Sequence, residues 1–260
     1  MSNAFNVEPR SGRASGHERS TGDAFLPVDA VEGYERWAPT YDRAPNPLLA
    51  REERYLLPLL TDLGSKSVLD LACGTGRWLE RLMSQGSKSG VGVDCSIAML
   101  RVAGRKSAIR QRLVEAACED LPFANAAFDL AICSFALGHI GNLEAIVREL
   151  ARVTRPGTDV FVSDLHPEAY ERGWRVGFRD GLTAVQIEMR SRSVEEIIRA
   201  FSSKGFECRT PVSLWLGEPE EMLFAQAGKS HSFVESCRLP AVLVCHFRRP
   251  EAAGDGRREK

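Results

Sequence analysis

Val68-Leu69-Asp70-Leu71-Ala72-Cys73-Gly74-Thr75-Gly76-Arg77-Trp78-Leu79 decides the fold: an apolar run meets a turn of small residues and passes straight into a helical pattern. The stretch reads as a β-strand, a tight turn and an α-helix that begins immediately after Gly76. Glycine lets the backbone turn sharply and come close to a ligand, and the first turn of a helix offers unpaired N–H groups to an anion. A dinucleotide fingerprint requires three glycines as G-x-G-x-x-G. Here Leu79 stands where the third would be, which speaks against NAD.

Outward from this turn, the chain alternates between strand and helix patterns. Gly90 to Asp94 is a short apolar strand ending in a carboxylate, the place where one side chain can accept hydrogen bonds from both hydroxyls of a ribose. The other reading of Asp94 is a cap on the helix Ile97 to Arg105. A third strand is expected over about 112–117 and a fourth, apolar on both faces, over 127–135, ending at Ser134 and Phe135. A helix over 142–154 places Leu143, Ile146, Val147, Leu150 and Val153 on one face, and Arg155-Pro156-Gly157 breaks the chain before a fifth strand, 159–165. Residues 166–192 interrupt the alternation. A helix over 194–204, a strand over about 206–216, an irregular stretch to about Leu239 and a last strand over 241–248 complete the pattern.

At 260 residues the chain suits one α/β domain with additions, or at most two small ones. Its 34 basic and 35 acidic residues nearly cancel, so no long-range field favours nucleic acid. No apolar run reaches the roughly 18 residues of a membrane span, and the polar N-terminus has no secretory core. A soluble cytoplasmic protein is the expectation. The seven cysteines lack C-x-x-C pairs and several sit in apolar runs, so they read as reduced core residues, with no disulfide set and no metal site. Residues 1–23, rich in Ser, Gly, Arg and Glu, are expected to be disordered, and 250–260 to be loose.

The strand, the acidic residue and the turn at 68–79, together with Asp94 and Leu121-Pro122-Phe123, resemble the class I S-adenosylmethionine-dependent methyltransferases, in particular their small-molecule type 11 branch. In that family the turn reads as an acidic residue followed by G-x-G-x-G, and Ala72 stands here for the first glycine. The resemblance implies a Rossmann-like α/β fold: a seven-stranded sheet of order 3-2-1-4-5-7-6 with strand seven antiparallel, helices on both faces, and an N-terminal helical lid. It divides the chain into a lid over 24–64 and a methyltransferase domain over 65–249, with an insertion at about 166–192. It implies S-adenosylmethionine as cofactor, with Asp70, Ala72, Cys73, Gly74 and Gly76 around the turn, Asp94 and Cys95 at the ribose, and Ile97 and Met99 beside adenine. Cys118, Glu119 and Ser134 are further cofactor contacts. Aligning on Leu-Pro-Phe puts Ala117 where relatives carry the carboxylate that meets the adenine amino group, so that acceptor is replaced here. Tyr34, Trp37 and Tyr41 recur at helical spacing, which by itself describes a packing helix. Relatives close a Tyr-Asp pair over the cofactor, and Tyr41-Asp42 stands in that place.

The implied activity is methyl transfer to a small-molecule acceptor, O- or N-directed, without nucleic acid or membrane partners. A homologue that binds the cofactor without methyl transfer is the alternative. Methyl transfer from an activated sulfonium asks chiefly for alignment and exclusion of water, and a base is needed only where the nucleophile starts protonated. His139 and His166, after strands four and five, are the candidate bases. A scaffold role competes for His139, and a cap on the helix starting at Pro167 competes for His166.

Overall fold

The computed structural model describes residues 25–251. The segment 1–23 and all but the first two residues of 250–260 lie outside it. The described chain runs β1 (Leu26–Val28), α1 (Ala30–Trp37), α2 (Pro47–Leu56), β2 (Ser67–Leu71), α3 (Arg77–Ser84), β3 (Ser89–Asp94), α4 (Ile97–Ala103), β4 (Leu113–Glu115) and β5 (Phe128–Ser134). It continues through α5 (Leu143–Val153), β6 (Thr154–Leu165), α6 (Pro167–Glu171), β7 (Gly177–Asp180), β8 (Thr183–Ile187), α7 (Val194–Ser202), β9 (Glu207–Cys208), β10 (Val212–Trp215), α8 (Glu218–Gln226), α9 (Phe233–Ser236) and β11 (Pro240–Arg248).

The central sheet has the order β10-β11-β6-β5-β2-β3-β4, with β9 paired to β11 beside this path. Its strands run parallel from β4 to β6, and β11 is antiparallel to both β6 and β10. Alternation along each strand divides the core into two layers. Val68, Leu130, Ile132 and Phe161 face α2 and α3. Leu69, Leu71, Ala131, Cys133, Val160 and Val162 face α5 and α7. Helices therefore cover both faces, and ligands in such sheets bind beyond the carboxyl ends of the strands.

Helix α3 does begin at Arg77, immediately after Gly76. Gly76 sits at φ +78°, a left-handed conformation that strains any other residue, and a Cβ there would also displace Ile109 Cδ1, 2.3 Å away. Having no side chain, Gly76 cannot cap the helix. Asp70 does so from the end of β2, its Oδ2 accepting from Leu79 N at 2.9 Å. Ala72 takes a left-handed φ of +56°, where the family's first glycine would be free of strain. That costs roughly 1–2 kcal/mol.

Three expectations need correction. The break at Arg155-Pro156-Gly157 lies inside a strand, because β6 starts directly from α5 and absorbs the turn as a bulge: Phe128 faces Thr154 while Leu130 already faces Asp159, with Gly157 at φ +83°. The strand over 206–216 is two short strands, β9 and β10, separated by the segment holding Pro211, which cannot donate to a ladder. The stretch to Leu239 is not irregular. It holds α8 and α9, and α8 escapes a periodicity reading because only Glu220 and Phe224 are buried on it while Met222 is exposed.

The N-terminal segment and the insertion are one structure. β1 lies parallel to β8, and β8 pairs antiparallel with β7, making a small second sheet in the order β1-β8-β7. Helix α1 lies tightly on it: a Cβ at Gly33 would meet Ile187 Cγ1 at 2.7 Å, and Trp37 stacks on Phe178 at 5.0 Å. Among the described residues no helix is long and apolar enough to cross a membrane, and no group of three or more His, Cys, Asp or Glu is placed to hold a metal.

Candidate functional site

A deep cleft opens at the carboxyl ends of β2, β3 and β5, walled on its outer side by α1 and the turn at Tyr41. Tyr41, Asp70, Ala72, Cys73, Gly74, Asp94, Cys95, Met99, Cys118, Glu119, Ser134 and His139 all line it. Gly76 stands behind the lining and acts through packing. Ile97 does not line it and is 40% exposed, because α4 turns its first residue outward and Met99 inward.

Asp94 ends β3 with both carboxylate oxygens already oriented. Oδ2 accepts from Gly74 N at 2.7 Å and Oδ1 from Ser96 N at 2.8 Å. These bonds tie the glycine turn to the second strand and leave further lone pairs towards the cleft. Burial outweighs the amide bonds and pushes the carboxyl above its usual range. The capping role passes to Ser96, whose Oγ accepts from Met99 N. Gly74 has φ +53°, and a Cβ there would meet nothing within 4 Å, so any side chain would project into open space.

Asp70 is buried at the cleft floor, and desolvation pushes its pKa up to about 7. The group therefore binds a proton in the folded state over a window, from about 3.8 to about 7, in which the unfolded chain has released it. Stability contributed by this proton is present below that window and is lost as pH rises through it. Asp70→Asn keeps an oxygen for Leu79 N–H and removes the ionisation. Compared with this variant, the wild-type chain is expected to lose stability as pH rises from about 3.8 to about 7 in urea unfolding, and parallel curves would refute the account.

A second polar group underlies the cleft and had no sequence signal. Glu52 on α2 is fully buried, and its carboxylate accepts from Arg77, from Ser163 Oγ, from Ser134 Oγ at 2.7 Å and from Trp78 Nε1 at 3.2 Å. In sequence it sits within Arg51-Glu52-Glu53-Arg54, which looks like a solvated helix face. The Ser134 hydroxyl donates to Glu52 and accepts from Arg77 at 3.0 Å. Asp42, beside Tyr41, accepts from Thr75 Oγ1 at 2.6 Å and lies 3.3 Å from Lys106 Nζ, pinning the outer wall to the glycine turn.

The two histidines part company. His166 does not line the cleft; its Nδ1 accepts from Glu168 N at 3.2 Å, which makes it the cap of α6, and its Nε2 faces Ser213 Oγ at 3.1 Å. The expectation of a base at His166 is therefore corrected: Pro167 fixes the turn so that the ring closes on its own helix. His166→Gln is expected to lower stability by about 1 kcal/mol through the lost cap and to leave turnover unchanged, measured as initial rates beside a urea titration. A large fall in rate would restore the base. His139 does line the cleft, with both ring nitrogens engaged, Nε2 by Tyr34 Oη and Nδ1 by Glu188 O, each at 3.0 Å.

A profile described as "Methyltransferase domain" matches residues 68–157, the part of the chain that builds the turn, Asp94 and β5. Residues 68–157 are therefore similar to a methyltransferase domain. Among curated relatives, the 2-phytyl-1,4-naphtoquinone methyltransferase of Synechococcus elongatus is 34% identical over 156 residues, which are 55% of this chain and 66% of the relative. The malonyl-[acyl-carrier protein] O-methyltransferase of Hamiltonella defensa is 32% identical over 136 residues, 52% of this chain and 51% of that one. The chain thus spans from about half to just under two thirds of these relatives. Among solved structures, an S-adenosylmethionine-dependent methyltransferase from Mesorhizobium loti covers 78% of this chain and 100% of its own at 21% identity, with a TM-score of 0.59. The [4+2]-cyclase SpnF covers 90% of this chain and 100% of its own at 15% identity, TM-score 0.61. At such identities the likeness is one of fold, and the methyltransferase domain's chemistry has to be argued from its cleft.

Proposed function

We propose that this chain transfers a methyl group from S-adenosylmethionine to a small-molecule acceptor, at an oxygen or nitrogen nucleophile. The observation that carries the reading is Asp94, a carboxylate at the carboxyl end of the second sheet strand whose two oxygens are each preset by one backbone N–H and still have room to accept from a diol. The cleft fits the cofactor on its own chemistry. Gly74 leaves open the space a side chain would fill, Asp70 is a buried carboxylate able to face an ammonium, and Met99 is a buried thioether on the wall next to Asp94. Asp94 would hold the ribose hydroxyls, the amides of the glycine turn the amino-acid end, and Met99 with the Cys118 backbone the adenine. When bound, S-adenosylmethionine supplies an activated methyl on a sulfonium, so the protein's remaining tasks are to orient the acceptor and exclude water.

The outer wall supplies that exclusion. Tyr34 to Asp42 forms a lid that closes over bound cofactor, held by the Asp42–Thr75 bond and by the pairing of β1 with β8. Amide exchange over these residues is expected to slow on addition of S-adenosylhomocysteine, whereas unchanged protection would mark a plain packing helix.

The relative named for a naphthoquinone supports a small-molecule acceptor, while another is named for a malonyl group carried on a protein. A second reading, cofactor binding without methyl transfer, is favoured by Ala117 in place of the expected carboxylate. Calorimetry with S-adenosylhomocysteine against NAD tests the cofactor, and transfer of labelled methyl from S-adenosylmethionine to any acceptor in an extract tests the reaction. Binding without transfer would select the second reading, and preference for NAD would overturn both.

A further inference from the structure

Tyr34 on α1 and His139, in the turn after β5, meet at the cleft wall with ring centroids 5.2 Å apart and planes at 88°. Glu188 O can only accept, so Nδ1 of His139 carries the proton in that 3.0 Å contact. The ring is then the neutral tautomer with a lone pair on Nε2, and Tyr34 Oη must be the donor in the other 3.0 Å contact. Nothing else among the described residues bonds to Tyr34 Oη. Its own lone pairs are unspent, on an atom whose side chain lines the cleft. The turn carrying His139 is rigidly held: Gly138 N donates to Asp164 Oδ2 at 2.7 Å, Arg190 N to Gly138 O at 2.7 Å, and Arg192 Nε to Leu137 O at 3.1 Å.

Resting on the methyl-transfer reading above, we propose that Tyr34 and His139 form a proton relay that deprotonates a phenolic hydroxyl on the acceptor, with Tyr34 the catalytic residue that touches it. The acceptor oxygen bonds to the methyl carbon as the carbon–sulfur bond of the sulfonium breaks with its electron pair left on sulfur, while the acceptor's O–H bond breaks and that pair stays on the oxygen. The proton passes to Tyr34 Oη while the proton of Tyr34 passes to His139 Nε2. The imidazolium so formed keeps its Nδ1–H on Glu188 O, and Tyr34 ends as it began. The return proton leaves to solvent after the product.

The surroundings suit each step. Burial lowers the His139 pKa, which keeps the ring neutral and ready to accept at physiological pH. Tyr34 is pushed well above its usual value by burial and then by Tyr41, Asp164 and Asp94, the titratable groups that face it, so it does not rest as a phenolate and must pass protons through. The cation that forms is favoured by the Nδ1–H bond to Glu188 O. A histidine of lowered pKa is a weak base, which selects the acceptor: an aliphatic alcohol is far too weak an acid, whereas a phenol, with a pKa of about 10, is within its reach. Val31, Phe135 and Ile140 supply an apolar wall for an aromatic ring.

The test uses the purified full chain, labelled S-adenosylmethionine, and 1-naphthol and 1-naphthylamine as paired probes. Methyl should pass to 1-naphthol and not to the amine. Tyr34→Phe and His139→Gln should each lower kcat by about a hundredfold, and the double variant should be no worse than either single one. S-adenosylhomocysteine affinity by calorimetry should stay within about twofold in all three. The rise of kcat with pH attributed to His139 should vanish in His139→Gln, and nitrogen NMR of the free protein should show a neutral, Nδ1-protonated ring at pH 7. Undiminished kcat in Tyr34→Phe, a rate loss matched by loss of S-adenosylhomocysteine affinity, an Nε2-protonated ring, or an inert 1-naphthol with S-adenosylhomocysteine still binding would each overturn the relay. Failure of wild-type protein to bind S-adenosylhomocysteine would instead overturn the methyl-transfer reading beneath it.

Discussion

Glu52→Ala is expected to destabilise the protein by about 3–5 kcal/mol, the range for removing one partner of a buried ion pair. The variant leaves Arg77 without the carboxylate that faces it and strips Trp78 Nε1, Ser134 Oγ and Ser163 Oγ of their common acceptor. Three of these four groups lie at the strand ends or first helical turn beneath the cleft, so loss of stability should come with a looser cleft floor. Glu52→Gln separates charge from shape: it keeps one acceptor oxygen and should cost less than the alanine. Urea unfolding of both variants is the measurement. A Glu52→Ala chain within 1 kcal/mol of wild type would show that the serines and Arg77 find other partners.

Asp94→Ala is expected to weaken S-adenosylhomocysteine binding by about 3–6 kcal/mol, two hydrogen bonds to a charged acceptor at roughly 1.5–3 kcal/mol each. That corresponds to about a hundredfold to ten-thousandfold in affinity. Part of the effect is indirect, because Gly74 N and Ser96 N lose their acceptor as well and the turn is no longer held to β3. Asp94→Asn distinguishes the contributions: it retains one oxygen for an amide and should fall between wild type and alanine. Undiminished affinity in calorimetry would remove Asp94 from the site.

The turn at 68–79 and the carboxylate at 94 were legible because both are local. A strand, a left-handed turn and a helix start need particular residues in consecutive positions, and Gly76 at φ +78° is one of them. The central strands were legible because a strand buried on both faces is apolar throughout. What escaped depends on partners far apart in the chain. Glu52 looks solvated until α2 is laid over Ser134 and Ser163, and Arg192 reveals its role only when the turn after β5 offers it Leu137 O. His166 was misread for the opposite reason: its position beyond a strand end was correctly placed, but the direction of its ring is set by the local bond to Glu168 N. Strands β7 and β8 alternate weakly, and their partner β1 lies at the other end of the described chain.

That pairing bears on how acceptor preference could be changed, in evolution or in the laboratory. The outer wall of the cleft comes from residues before β2 and rests on the hairpin after β6, with Leu26 opposite Val185 and Gly33 fitted against Ile187. Replacing 166–192 alone with the corresponding insertion of another methyltransferase would leave β1 without a strand to join and α1 without the surface it was shaped for. A functional exchange would have to carry both pieces together, while the glycine turn and Asp94, which belong to the central sheet, could remain as they are.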